Sequence, residues 1–209
     1  MFYRFIYLIL RLIATPLFRI KVHGYENIPQ ERKFIVCANH KSFLDPVFVA
    51  MALDRQIHFI AKKELFEIPI LKNILKSLNA IPAQRDGKDL SVLRDSIKLI
   101  KTGKILGIFP EGTRVKEIKR ENIKDGAGYI ALKSKTDILT IEIISSYKPF
   151  CKTDLYIKNL IQIEDFEKYK SKDAMEKIMD ETYEKMYENH KFLRKVWDES
   201  NSCEKFWLL

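Results

Sequence analysis

Glycine and proline are scarce in this chain, seven of each in 209 residues, and cysteine is scarcer, with three. So few chain breakers, beside 46% hydrophobic residues, exclude a disordered polymer and leave enough apolar surface for a sizeable core. Cys37, Cys151 and Cys203 are odd in number, far apart and without a Cys-x-x-Cys pair. That argues against a disulfide framework or a zinc site and fits a reducing cytosol, with Cys37 read as a small core residue. A long uninterrupted apolar run is also missing. The stretch from Phe2 to Phe18 is broken by Arg4, Arg11 and Pro16, and as a helix it extends about 25 Å, short of the ~30 Å hydrocarbon core. A spanning helix is therefore not expected, nor is a secretory signal, since no small-x-small cleavage site follows.

Positive charge is what the chain has in excess. The net charge is +9, and residues 1–85 hold 13 Lys and Arg against 6 Asp and Glu, which is +7 of it. Such a bias beside an apolar terminus points to an anionic partner: phospholipid, a phosphorylated substrate or nucleic acid. Arg4 and Arg11 stand seven apart, so they share one side of a helix whose remainder is Phe, Ile and Leu. That pattern suits a helix lying in a lipid interface, with packing on its own domain as the plainer alternative. The aromatics are not interleaved with the basic residues as a single-strand platform requires, so nucleic acid is not an expected partner. The terminal "EKFWLL" is apolar and fits either packing or lipid contact.

Between residues 34 and 144 short apolar runs alternate with helical patterns. Phe34–Ala38, Ile57–Ala61, Ala80–Gln84, Ile105–Phe109 and Ile138–Ile144 read as strands. Segments beginning at Pro46, Pro69, Leu90 and Gly126 read as helices. The implied fold class is α/β, a mostly parallel central sheet flanked by helices, with an N-terminal amphipathic membrane-interface segment. Expected organisation is a membrane-associated helical segment at 1–20 and a domain at 21–209. The latter has its motif core at 33–145 and a C-terminal strand and helix within 152–209. In that last helix Met175, Ile178, Met179, Thr182, Tyr183 and Met186 form a core-facing stripe.

"CANHKSFLDPVF" at 37–48 admits two explanations. Asp45-Pro46 is a good helix start, with Asp as cap and Pro in the first turn, and Ser42-x-x-Asp45 resembles a capping box. Yet His40 leaves a buried strand where parallel sheets place their ligand crevice. An Asp45 folded back onto the imidazole would orient it as a general base. No Gly-x-Ser-x-Gly elbow is present, so the attacking hydroxyl would come from a substrate. "FPEGTR" at 109–114 repeats the strand-to-turn arrangement. Gly112 permits a tight, anion-facing turn, and Arg114 can hold a phosphate bidentately. His23, His58 and His190 have no such setting and read as structural or surface residues.

NHKSFLDP (39–46), KKELFEIPILKNILKSLNAIPAQR (62–85) and FPEGTR (109–114) resemble, in order and spacing, the motif blocks of the PlsC-type lysophospholipid acyltransferases. The resemblance covers roughly residues 20–145. It implies that His40 is the catalytic base and Asp45 its orienting carboxylate. It further implies that Glu111, Gly112, Thr113 and Arg114 bind the acceptor's glycerol phosphate. Arg85 matches a second phosphate-contacting Arg, and Lys63 with Glu64 opens the middle block. The implied reaction moves an acyl group from acyl-CoA or acyl-ACP (acyl carrier protein) to the sn-2 hydroxyl of lysophosphatidic acid, giving phosphatidic acid. A related possibility is the same transfer onto another lysophospholipid or a lyso-aminolipid. Neither metal nor cofactor is implied, and the implied location is the cytoplasmic face of the cell membrane, peripheral to it. Departures are Lys72 and Asn79 where the family often has Gly, Thr140 where it has Pro, and Val115 where Ser is common.

Overall fold

Seven strands form one sheet in the order β1-β7-β6-β2-β5-β3-β4 in the computed structural model, which describes residues 2–30, 33–77, 80–83 and 90–190. The strands are β1 (Ile20–His23), β2 (Ile35–Ala38), β3 (Ile57–Lys62), β4 (Ile81–Ala83), β5 (Ile105–Ile108), β6 (Ile138–Ser145) and β7 (Thr153–Ile157). Every pairing is parallel except β6 with β7. The mostly parallel α/β sheet expected from the sequence is therefore present. β1 was not expected: "IKVH" is a short edge strand that the sequence runs on directly from the apolar N-terminal helix.

Both faces of the sheet are covered, which is why its strands read as continuous apolar runs. Alternate residues serve opposite cores. Ile35 and Cys37 of β2 join Leu106, Ile108 and Ile138 on one face. That face is covered by helices α4 (Leu90–Lys101), α5 (Gly126–Ser134) and α6 (Ser171–Met186). Val36 and Ala38 join Leu139, Ile141 and Ile143 on the other face, under α1 (Phe2–Leu17) and α2 (Asp45–Leu53). Phe34, Phe48 and Ile130 are among the fully buried side chains, each contributing about 1.5–3 kcal/mol by leaving water. The stripe on α6 is core-facing, with Ile178, Met179, Thr182 and Met186 buried.

Helix α1 is only partly absorbed. Ala14 and Phe18 pack into the second core, and Phe18 meets Phe48 edge to face. Leu8, Leu12 and Ile13 remain more than half exposed. Arg11 lies 3.7 Å from Asp54 across a solvent-exposed pair. Among the described residues no helix is long and apolar enough to cross a membrane. Helix α3 (Pro69–Ser77) carries Lys72 on its exposed side, so the lysine disturbs no packing. Cys37 is buried and free, as a small core residue, and Cys203 lies outside the described residues.

Since β6, β2, β5, β3 and β4 run the same way, their C-terminal ends share one edge of the sheet. His40 follows β2, Lys63 follows β3, Glu111–Arg114 follow β5, and Tyr147 follows β6.

Candidate active site

Asp45 opens α2 without capping it: the helix has no side-chain cap hydrogen bond. Its carboxylate turns back instead. Oδ2 accepts hydrogen bonds from Lys41 N (2.7 Å), Ser42 N (2.7 Å) and His40 Nδ1 (3.0 Å). The expected capping box is half realised, because Asp45 does accept Ser42 N–H while Ser42 Oγ accepts from Leu44 N (3.2 Å). One oxygen thus shapes the turn and aims the imidazole. Asp45 therefore orients His40 and ties the 40–42 turn, but does not cap the helix it opens.

With Nδ1–H donated to Asp45, His40 carries its lone pair on Nε2. The Asp45 side chain is wholly buried, whereas that of His40 is 19% exposed, so the ring's outer edge reaches the surface. The ring is supported from beneath. It stacks on Phe109 at 4.2 Å, and Phe109 stacks on Phe59 at 5.6 Å. Phe59 lies over Gly107 of β5, where a Cβ would come within 2.5 Å of the ring. Asn39, fully buried, clamps the start of the loop to β6: its Oδ1 accepts from Ile143 N (2.7 Å) and its Nδ2 donates to Ile143 O (2.9 Å).

The FPEGTR turn is tied to the same loop. Val115 N donates to His40 O (3.0 Å). Gly112 has φ of +67°, a left-handed value that favours glycine, and a Cβ there would press on Lys124 Nζ. Thr113 and Arg114 are exposed. The Arg114 guanidinium lies 3.6 Å over the Phe43 ring, and no carboxylate pairs with it among the described residues. A phosphate reaching this edge would find an unneutralised guanidinium one loop away from His40.

Glu111, to which the resemblance assigns a part in acceptor binding, has a buried side chain. It is 2% exposed and points inward, with Oε1 accepting from His40 N (3.1 Å) and from the Tyr187 hydroxyl (2.5 Å). Oε2 has no hydrogen-bond partner among the described residues. Burial raises the carboxyl's pKa above its ordinary value, more than its hydrogen bonds lower it. Burial and the Glu111 charge likewise push the Tyr187 hydroxyl up, so it stays a donor.

Lys63 begins a short 3₁₀ turn, Lys63–Phe66, and is exposed, without an ion-pair partner among the described residues. Arg85 lies outside the described residues. His190 is not an isolated surface residue. Its ring, buried, donates from Nδ1 to the fully buried Glu142 (3.3 Å) and accepts from Lys41 Nζ at Nε2. His23 contacts Asp154 at 2.9 Å. Sequence reasoning missed Tyr147 and Tyr187, whose partners are 102 and 76 residues away. Among the described residues no cluster of three or more His, Cys, Asp or Glu is arranged to hold a metal.

The family model described as Acyltransferase matches residues 19–144, which span β1 through most of β6 and hold this site. The chain belongs to the acyltransferase family. This acyltransferase is 35% identical over 138 residues to a 1-acyl-sn-glycerol-3-phosphate acyltransferase of Bacillus subtilis, covering 66% of the chain and 68% of that relative. A Borreliella burgdorferi protein of the same name is 30% identical over 145 residues, covering 68% of the chain and 56% of the relative. A chloroplastic one from Arabidopsis thaliana is 29% identical, and the chain spans 38% of its length. The fold of the acyltransferase also matches the crystal structure of the 1-acyl-sn-glycerophosphate (LPA) acyltransferase PlsC from Thermotoga maritima. There the TM-score is 0.64 at 28% identity, covering 83% of this chain and 72% of that one.

Proposed function

We propose that this acyltransferase moves an acyl group from acyl-CoA or acyl-ACP onto the sn-2 hydroxyl of lysophosphatidic acid, forming phosphatidic acid. The observation that carries the reading is the buried Asp45 carboxylate holding Nδ1 of His40, whose side chain is 19% exposed. Nε2 takes the acceptor's hydroxyl proton as the oxygen attacks the thioester carbonyl, and the resulting imidazolium returns that proton to the departing thiolate. The ester C–O bond forms, the C–S bond breaks, and no metal or cofactor enters the balance. General base catalysis of this kind contributes about 10²–10⁴-fold. Arg114, and on the family resemblance Arg85, hold the acceptor's phosphate, with Gly112 and Thr113 shaping the turn and Lys63 at the same sheet edge. The names of the relatives, each a 1-acyl-sn-glycerol-3-phosphate acyltransferase, support this choice of acceptor.

Lipid acceptor and product require access to a bilayer. The exposed Leu8, Leu12 and Ile13 of α1 supply an apolar face for it, consistent with a protein that lies on the cytoplasmic leaflet.

His40→Ala tests the mechanism: transfer is abolished while the melting temperature is kept, and retained activity would overturn it. Acyl-CoA and acyl-ACP are compared as donors on a panel of lysolipids of differing headgroup. Preference for lysophosphatidic acid is the expected result, and preference for a lysolipid without a terminal phosphate would reassign the acceptor.

A further inference from the structure

Tyr147 lies beyond every motif block and just past the family match, on the loop that leaves β6. Its hydroxyl donates to Asp45 Oδ1 at 2.8 Å. Oδ2 already accepts three N–H groups from residues 40–42, so Tyr147 supplies Oδ1 with a donor from the opposite side of the carboxylate. The hydroxyl remains a phenol, because burial and then the Asp45 charge push its ionisation well above the ordinary tyrosine value. The ring lies parallel to Phe48 of α2, 6.2 Å between centres.

A second observation is independent of that contact. Tyr147 has φ of +58°, a left-handed conformation that a bulky side chain rarely adopts. The turn is held from both sides: Tyr147 N donates to Ser145 Oγ (2.9 Å), which in turn bonds Thr153 Oγ1 on β7 (2.7 Å). A glycine or asparagine would satisfy this backbone with less strain. What only tyrosine supplies is a hydroxyl long enough to reach the buried carboxylate.

We propose that Tyr147 is a positioning residue for the acyl-transfer step, fixing the Asp45 carboxylate in the plane from which it aims His40. This rests on the reading of His40 and Asp45 given above. Without the hydroxyl, Oδ1 loses the donor that opposes the three at Oδ2, and the carboxylate is free to rotate away from Nδ1. Turnover then suffers without any change in how either substrate is held.

Tyr147→Phe in the full chain is the test, because it keeps the ring and backbone and removes one oxygen. The expected result is a fall in kcat of about tenfold, with KM for donor and acceptor within twofold of wild type and a protein that still folds, its melting temperature lowered only by the lost hydrogen bond. The far-downfield proton resonance of His40 Nδ1–H, read with ¹⁵N-labelled histidine, shifts or broadens. In an Asp45→Asn background the same substitution costs less than twofold. Tyr147→Gly, which relaxes the backbone but also lacks the hydroxyl, loses at least as much activity. An unchanged kcat with an unmoved resonance overturns the proposal, as does a rise in KM alone, which would make Tyr147 a substrate contact. An active His40→Ala overturns the underlying reading instead. The resonance needs no turnover and still decides whether Tyr147 holds Asp45.

Discussion

Arg114 rests on Phe43, its guanidinium carbon 3.6 Å from the ring centre, and the two residues belong to different motif blocks. Phe43 sits between His40 and Asp45 in sequence and is 69% exposed, so nothing about core packing requires an aromatic there. The ring instead parks the cation beside the loop that carries the imidazole.

Phe43→Leu should therefore act on acceptor binding. A cation–π contact at an exposed site is worth about 0.5–1 kcal/mol, a factor of roughly 2–5. The expected outcome of steady-state kinetics is a rise in KM for the phosphorylated acceptor by that factor, with kcat near wild type. Arg114→Ala, which removes the charge itself, raises KM further. Equal losses in kcat for both variants would contradict a binding role.

Gly107→Ala probes the support of the imidazole from below. An added Cβ would meet Phe59 at 2.5 Å, displacing a ring that backs Phe109 and, through it, His40. Overpacking of this kind costs about 1–3 kcal/mol. Chemical denaturation should register that loss, and kcat should fall more than the acceptor KM rises. A companion Phe59→Leu in the Gly107→Ala background, by making room, should recover part of the stability.

The sheet was legible because strands buried on both faces announce themselves as apolar runs, as at 34–38 and 138–144. β1 was not, because four residues of "IKVH" at an edge merge with the helix before them. Asp45 illustrates a different limit. Its place at a helix start reads as a cap, and only the geometry reveals that Oδ2 serves the preceding turn and His40 together. For Glu111 the motif suggested a substrate contact, and the structure adds what the motif did not, a buried hydrogen bond from Tyr187. Contacts spanning 76 or 102 residues leave no local trace. The position of Tyr147 directly after a predicted strand, where parallel sheets place their crevice, was the one available signal.

Thr140 occupies a fully buried position on β6, and its hydroxyl has no hydrogen-bond partner among the described residues. Burying an unpaired polar group costs about 1–3 kcal/mol, and valine is nearly the same shape without it. Thr140→Val is expected to raise the denaturation free energy by about 1 kcal/mol with activity unchanged. A loss of stability would mean that the hydroxyl is satisfied in solution.

Glu111→Gln separates a buried structural carboxyl from a substrate ligand. The carboxyl's pKa in the folded chain is raised above 4.5, chiefly by burial, so the neutral form is the one the fold favours. Its contribution to stability is full below about pH 4.5 and is lost as pH rises through the elevated folded value. Glutamine cannot ionise. It keeps an acceptor for His40 N–H and the Tyr187 hydroxyl. Urea denaturation from pH 4.5 upward should therefore show wild-type stability falling relative to Glu111→Gln, then levelling once the folded carboxyl has ionised. A constant difference across that range would show a carboxyl that titrates as it does in the unfolded chain. Because the side chain is buried and bonded to His40 N and the Tyr187 hydroxyl, Glu111→Gln should also leave the acceptor KM within about twofold, the span expected of a substitution that preserves shape and the main hydrogen bond. A large rise in that KM alone would return Glu111 to the phosphate-binding role that its motif implies.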